Sequence, residues 1–196
     1  MPERSSLDLQ SVFLNFPFDR SYERIFLGIV AGLISLKLTP RCVIEVPDHG
    51  QGRMDRLFDL IKSCRASIHD LSSVGTPVRF NMPFELGIAY TLKQHDNSYQ
   101  FVIFEKVRYR FERNLTDLKM NDPKIHHGSG RKALQCVYQC FVPHGEPEPS
   151  KLGHKIYWHL SRRCAAIRGR NETIFTRTSF YKIVTEASLI ATARND

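Results

Sequence analysis

Ala66-Ser-Ile-His-Asp-Leu-Ser72 reads as a short strand ending in an acid, and Arg79-Phe-Asn-Met-Pro-Phe-Glu-Leu-Gly-Ile-Ala-Tyr-Thr-Leu92 reads as the helix it feeds. Between them Ser72-Ser-Val-Gly-Thr-Pro77 is made of small and turn-forming residues. A strand with Asp70 at its C-terminal end, a loop, then a helix carrying a second acid, Glu85, is the layout of a ligand site in an open α/β sheet. Asn81 suits an N-cap, Pro83 suits a first turn where its missing N–H costs nothing, and Phe84, Ile88 and Leu92 recur at a spacing that predicts their burial. Glu85 then falls within the first turn, where the helix dipole favours an ionised carboxylate by roughly 0.3–1 kcal/mol. Gly87 leaves room for a ligand or a neighbouring backbone. The plain alternative is a glutamate that only complements the dipole of an ordinary helix.

The rest of the chain repeats this alternation. Ser11-Val-Phe-Leu-Asn-Phe16 is a first strand stopped by Pro17. The loop after it, Phe18-Asp-Arg-Ser-Tyr22, faces the ligand crevice of a parallel sheet and offers an aromatic, an acid and a base; equally, Asp19 or Ser21 caps a helix and Arg20 stands in solvent. Ile25, Phe26, Ile29, Val30, Leu33 and Ile34 follow the helical period. Cys42-Val-Ile-Glu-Val46 is expected as the second strand, buried on both faces, followed by a loop whose Asp48 and His49 can line a pocket. Met54, Leu57, Phe58 and Ile61 predict a second helix, and Gln100-Phe-Val-Ile-Phe-Glu105 a fourth strand. Lys124 to His127 reads as a short edge strand, and Leu134, Val137, Tyr138 and Phe141 as a further helix. The expected fold is α/β, a doubly wound, mainly parallel, flavodoxin-like sheet of four or five strands in the order 2-1-3-4.

The Pro143-His-Gly-Glu-Pro-Glu-Pro149 stretch marks the expected boundary between an α/β domain, 1–146, and a basic helical extension, 147–196, with helices over Ile156–Leu160–Cys164–Ile167 and Phe180–Ile183–Val184–Leu189. The extension holds nine Lys/Arg against four acids, +5 of the net +8. A solvated helical face accounts for this, and a patch for a polyanion or an acidic partner protein is the alternative. Hydrophobic residues at 42% and charged ones at 24% are values of a soluble globular protein, and no apolar run is long enough to cross a bilayer. Met1-Pro-Glu-Arg-Ser-Ser lacks the pattern of a signal peptide, so a cytoplasmic protein without membrane partners is expected. The odd number of cysteines, five, without Cys-x-x-Cys, predicts reduced thiols. No metal site is expected, because Cys136 and Cys140 would need distant partners and adjacent His126 and His127 on a strand point to opposite faces. The chain has no Gly-x-Gly-x-x-Gly and no Gly-Lys-Ser/Thr, which argues against a dinucleotide fingerprint or a P-loop.

Asp70-Leu-Ser72 followed by Phe84-Glu-Leu-Gly-Ile-Ala89 resembles the signature of the nucleoside 2-deoxyribosyltransferase-like proteins and of the related bacterial Toll/interleukin-receptor (TIR)-like proteins, a resemblance covering residues 10–106. Asn114-Leu-Thr-Asp-Leu118 resembles the loop after the fourth strand of the same TIR-like proteins. The resemblance implies that Glu85 is the nucleophilic or charge-stabilising carboxylate, that Asp70 is the strand-end acid holding ribose hydroxyls or the base, and that the loop with Phe18, Asp19, Arg20 and Tyr22 closes over sugar or base. Asn81 is placed to orient Glu85. The second Asp that the deoxyribosyltransferases carry between these acids is absent, its place filled by Thr76, Pro77 and Arg79, and the Trp-x-x-x-Glu helix of many TIR enzymes is absent too. Arg79 points to an anionic ligand. The expected function is an N-glycosidase or glycosyltransferase acting on NAD or a nucleotide, with no further cofactor, in bacterial immunity. Its alternatives are a nucleotide-sensing module signalling to a partner, and an interaction protein docking through its basic tail. The C-terminal helices are the expected contact to a second copy or a partner protein; nucleic acid is less favoured.

Overall fold

The computed structural model describes residues 10–46, 52–72, 81–109 and 122–193. The sheet is parallel, in the order β2-β1-β3-β4-β5, with β1 Ser11–Asn15, β2 Thr39–Arg41, β3 Ala66–Asp70, β4 Gln100–Glu105 and β5 Lys124–Ile125. This is the expected strand order, extended by the short β5, and the fold is a doubly wound α/β fold. In register, Val12 and Phe13 of β1 lie beside Pro40 and Arg41 on one side and beside Ala66 and Ser67 on the other. Asp48, His49, Arg79 and the Asn114–Leu118 segment lie outside the described residues.

The second strand is not where the sequence suggested. Thr39–Arg41 forms it, with Pro40 tolerated because β2 is an edge strand, and Val43–Glu45 instead turns as a 3-10 helix. The cause is Glu45, whose Oε1 accepts from the Cys42 N–H at 2.9 Å and from Arg41 Nε at 2.7 Å, closing the turn with groups that a strand would have left apart.

The chain divides into two compact units, Met1–Pro17 with Thr39–Lys124, and Phe18–Leu38 with Ile125–Asp196. In the first unit α2 (Arg53–Ser63) and α3 (Asn81–His95) pack on one face of the sheet. Phe13 meets Leu57, Leu60 and Ile61 of α2 and Ala89 of α3, while Met82 and Leu86 of α3 meet Leu71 and Ile103. Each of the Leu, Ile, Met and Phe side chains so taken out of water contributes about 1.5–3 kcal/mol.

The second unit is built on α1 (Glu23–Ser35), in which every residue from Ile25 to Ser35 is buried. A helix apolar all round needs cover all round. Within this unit α4 (Gly130–Phe141), α5 (Ser150–Arg168) and α6 (Arg177–Thr192) supply it. Glycines set the approach, since a Cβ on Gly28 would lie 2.0 Å from the Gly130 carbonyl oxygen, and one on Gly32 would lie 2.9 Å from Val137 Cβ. Pro143–Pro149 is thus the loop joining α4 to α5 inside one unit, and the C-terminal helices share that unit with α1. Glu23 ties them together: its carboxylate accepts from Arg168 Nε at 3.0 Å, Arg168 Nη2, the Ile174 N–H at 3.0 Å and Cys164 Sγ at 3.5 Å. No helix among the described residues is long and apolar enough to cross a membrane.

Candidate functional site

The site begins with a polar residue where an apolar strand ends. Asn15, the last residue of β1, is buried, and its Nδ2 donates to the Met82 carbonyl oxygen of α3 at 3.2 Å and reaches His69 Nδ1 at 3.1 Å. His69 stands beside Asn15 in the β1–β3 register, wholly buried, and burial pushes its imidazole down to about 3, so the ring is neutral. With Nδ1 accepting from Asn15, the proton sits on Nε2 and is donated to Ser67 Oγ at 2.9 Å. Ser67, His69, Asn15 and the first turn of α3 form one hydrogen-bonded chain. It fixes the start of α3 above the C-terminal ends of β1 and β3.

Glu85 lies one turn further along α3, half-buried. The buried stripe of α3 is Met82, Leu86 and Ala89; Glu85 lies three and four residues from Met82 and Ala89 and so flanks that stripe. Its charge reaches Cys42, whose buried thiol is pushed up to about 12 by desolvation and by the carboxylates of Glu45 and Glu85. Cys42 is therefore an inert thiol in this site.

Several expectations are corrected here. The helix begins at Asn81, which is exposed, so Glu85 falls beyond the first turn, which holds no acid, and the dipole contributes less to it than expected. Phe84 is 59% exposed, because it lies two residues from Leu86 and so on the far side of the helix from the sheet. Gly87 is open, with nothing within 4 Å of a Cβ built on it, but it too is two residues from Glu85 and opens on the other side of α3. Asp70 is wholly buried and its Oδ1 accepts from the Ser72 N–H at 2.8 Å, shaping the turn after β3. Side chains alternate along a strand, and His69 takes the α3 side, so Asp70 and its register partner Phe104 belong to the opposite face. The strand-end residue that β3 turns toward α3 is the histidine, not the acid.

The first loop belongs to the second unit and has its own packing there. Phe18 stacks on Phe175 with ring centroids 5.7 Å apart, and Tyr22 is buried edge-on to His126 at 6.4 Å. Asp19 accepts from the Ser21 hydroxyl and from the Tyr22 N–H through its backbone oxygen, and Arg20 is exposed. These are the contacts of a 3-10 turn, Arg20–Tyr22, leading into α1. Glu23, next in the chain, is pushed up by burial but held below the usual carboxylate range by its bonds to Arg168, Ile174 and Cys164. Among the described residues no group of three His, Cys, Asp or Glu is arranged to hold a metal ion.

Asn15 and His69 are the residues that sequence reasoning passed over. A polar Asn closing the run Val-Phe-Leu-Asn was the available signal, since a polar side chain in a strand buried on both faces must find a partner. Fold and site together define a doubly wound α/β protein with a carboxylate-bearing helix anchored at the strands' C-terminal ends. No protein-family model, curated protein or solved structure matches the chain.

Proposed function

We propose that the protein binds NAD or a nucleotide beside the start of α3 and cleaves its N-glycosidic bond through Glu85. The observation that carries this reading is the half-buried Glu85 on a helix whose first turn is held by Asn15 at the strand ends, where ligands of open α/β sheets bind. Cleavage of a bond between C1′ and a base nitrogen passes through an oxocarbenium-like transition state. A carboxylate held in advance opposite the developing positive charge lowers that barrier directly. The base departs with the bonding electrons, nicotinamide leaving already neutral and a purine or pyrimidine taking up a proton, while Glu85 either attacks C1′ to form a glycosyl ester that water then opens, or stabilises the cation while water adds. Asn15 and the neutral His69 position the helix and do not exchange protons with the substrate. Asp70 holds the turn at Ser72 that follows β3, and Arg79 reads a phosphate of the ligand.

The test is base release from NAD and a nucleotide panel, followed by chromatography, with affinity measured by calorimetry. Glu85→Gln preserves shape and removes charge, so turnover should fall at least about 100-fold with little change in affinity. Equal turnover in wild type and Glu85→Gln removes the enzymatic reading. Binding without wild-type turnover selects a sensing module.

A further inference from the structure

The chain has a single tryptophan, Trp158, and it is 58% exposed on α5. The buried residues of α5 are Gly153, Ile156, Leu160 and Ile167, and at 100° per residue the opposite side of the helix carries Lys151, Lys155, Trp158 and Arg162, all exposed. These four follow one another at spacings of four, three and four, so their side chains form one stripe about 16 Å long with the ring inside the row of cations. The helix contains no Asp or Glu anywhere from Ser150 to Arg168. Its other two cations are engaged: Arg163 pairs with Glu186 of α6 at 2.9 Å, and Arg168 with Glu23 of α1. Lys151, Lys155 and Arg162 pair with no carboxylate among the described residues. On α6 the ring of Tyr181 is already covered by Arg177, 5.7 Å from its centroid.

We infer that this stripe binds single-stranded nucleic acid, with Lys151, Lys155 and Arg162 on successive phosphates and an unstacked base on the Trp158 ring. Three uncommitted cations in a row without an acid call for a polyanion. A flat ring between them adds what a base supplies and an acidic peptide does not, a π-face to stack on. A duplex keeps its bases stacked inside and cannot use that ring. A membrane is disfavoured because Trp158 is the only apolar group in the stripe, far short of the apolar face by which interfacial helices insert. This inference is independent of the glycosidic reading, since it uses no residue of that site.

Because Trp158 is the sole tryptophan, the intact protein's emission reports on this face directly. Titration with an oligothymidylate should quench it, and the logarithm of affinity should fall with the logarithm of salt with a slope of about −2, that of three phosphate contacts on a single strand. With the oligonucleotide labelled and followed by anisotropy, Trp158→Ala should weaken binding by about 5- to 150-fold. Lys151→Gln with Lys155→Gln should flatten the salt slope by about 1.4. All three positions are exposed, so folding is not at risk, and circular dichroism of each variant checks this. Unquenched emission at saturating oligonucleotide, or an affinity indifferent to Trp158→Ala, overturns the inference. So does a blue shift with phosphatidylserine vesicles in place of quenching by the oligonucleotide, which assigns the face to a membrane, or equal binding of polyglutamate, which assigns it to an acidic protein.

Discussion

Asn15 satisfies a helix carbonyl and an imidazole with one side-chain amide, so its truncation is felt in two places at once. Asn15→Ala leaves His69 Nδ1 buried without a donor, which costs about 1–3 kcal/mol in a urea titration. Because the start of α3 is released as well, kcat for base release should fall more than KM rises; an unchanged kcat would show that Asn15 does not position Glu85. His69 gives the protein an acid sensitivity whose sign is fixed by its burial. Its folded value of about 3 lies below the ordinary value of 6.5, so under acid the unfolded chain binds a proton that the fold refuses. Stability is therefore full above pH 6.5 and declines toward pH 3, by at most about 1.4 kcal/mol per pH unit. Glu23, held below its ordinary 4.5, adds a loss of the same sign at lower pH. Melting curves taken from about pH 7.5 to 5 should show this decline in wild type and a flatter profile in His69→Gln; equal slopes would assign the acid sensitivity to other groups.

Among the elements, α1 tolerates change least. Gly28 and Gly130 approach so closely that a methyl group on either meets backbone, at 2.0 Å and 2.2 Å, and backbone on both sides cannot swing aside as a long side chain can. Gly28→Ala should cost about 3 kcal/mol, read as a drop in the urea midpoint; a loss under about 1 kcal/mol would mean that α1 and α4 slide apart at little cost. The same element explains what was legible in the sequence and what was not. Ile25, Phe26, Ile29, Val30, Leu33 and Ile34 announce a helix by period, yet the period does not reveal that Gly28 and Gly32 between them are contact points, because a glycine signals closeness only once the neighbour is known. In α3 the period misled at one position: Ile88 and Leu92 pack, partly buried, against the core, but Phe84 stands exposed, since a helix rich in apolar residues on several sides does not state which side meets the sheet. At β2 the strand-like Cys42–Val46 lost to a local bond, the Glu45 carboxylate closing its own turn.

At the scale of the whole molecule, strand order followed from the alternation of strands and helices, because parallel neighbours joined by helices admit few windings. The division of the chain did not follow, since the Pro-rich Pro143–Pro149 looks like a linker whether it separates domains or turns between two helices of one unit. A chain ending at Pro149 therefore loses walls rather than an ornament. Phe26 would be stripped of Phe175 and Phe180, now 5.5 Å and 6.2 Å from its ring, and Glu23 of Arg168. Such a chain should aggregate or elute as soluble oligomers on size-exclusion chromatography; a monodisperse product with the parent's melting temperature would show α5 and α6 to be dispensable.

The interleaving of the two units also sets an order of events during translation. Ninety-four residues separate the end of α1 at Ser35 from the start of α4 at Gly130. At about 5–20 residues per second this is an interval of about 5–20 s. For that time a helix with scarcely a polar side chain is outside the ribosome and its partners α4, α5 and α6 are unmade, so the nascent chain offers apolar surface to whatever chaperone holds the tunnel exit. The interval comes from connectivity alone, and no substitution within α1 shortens it.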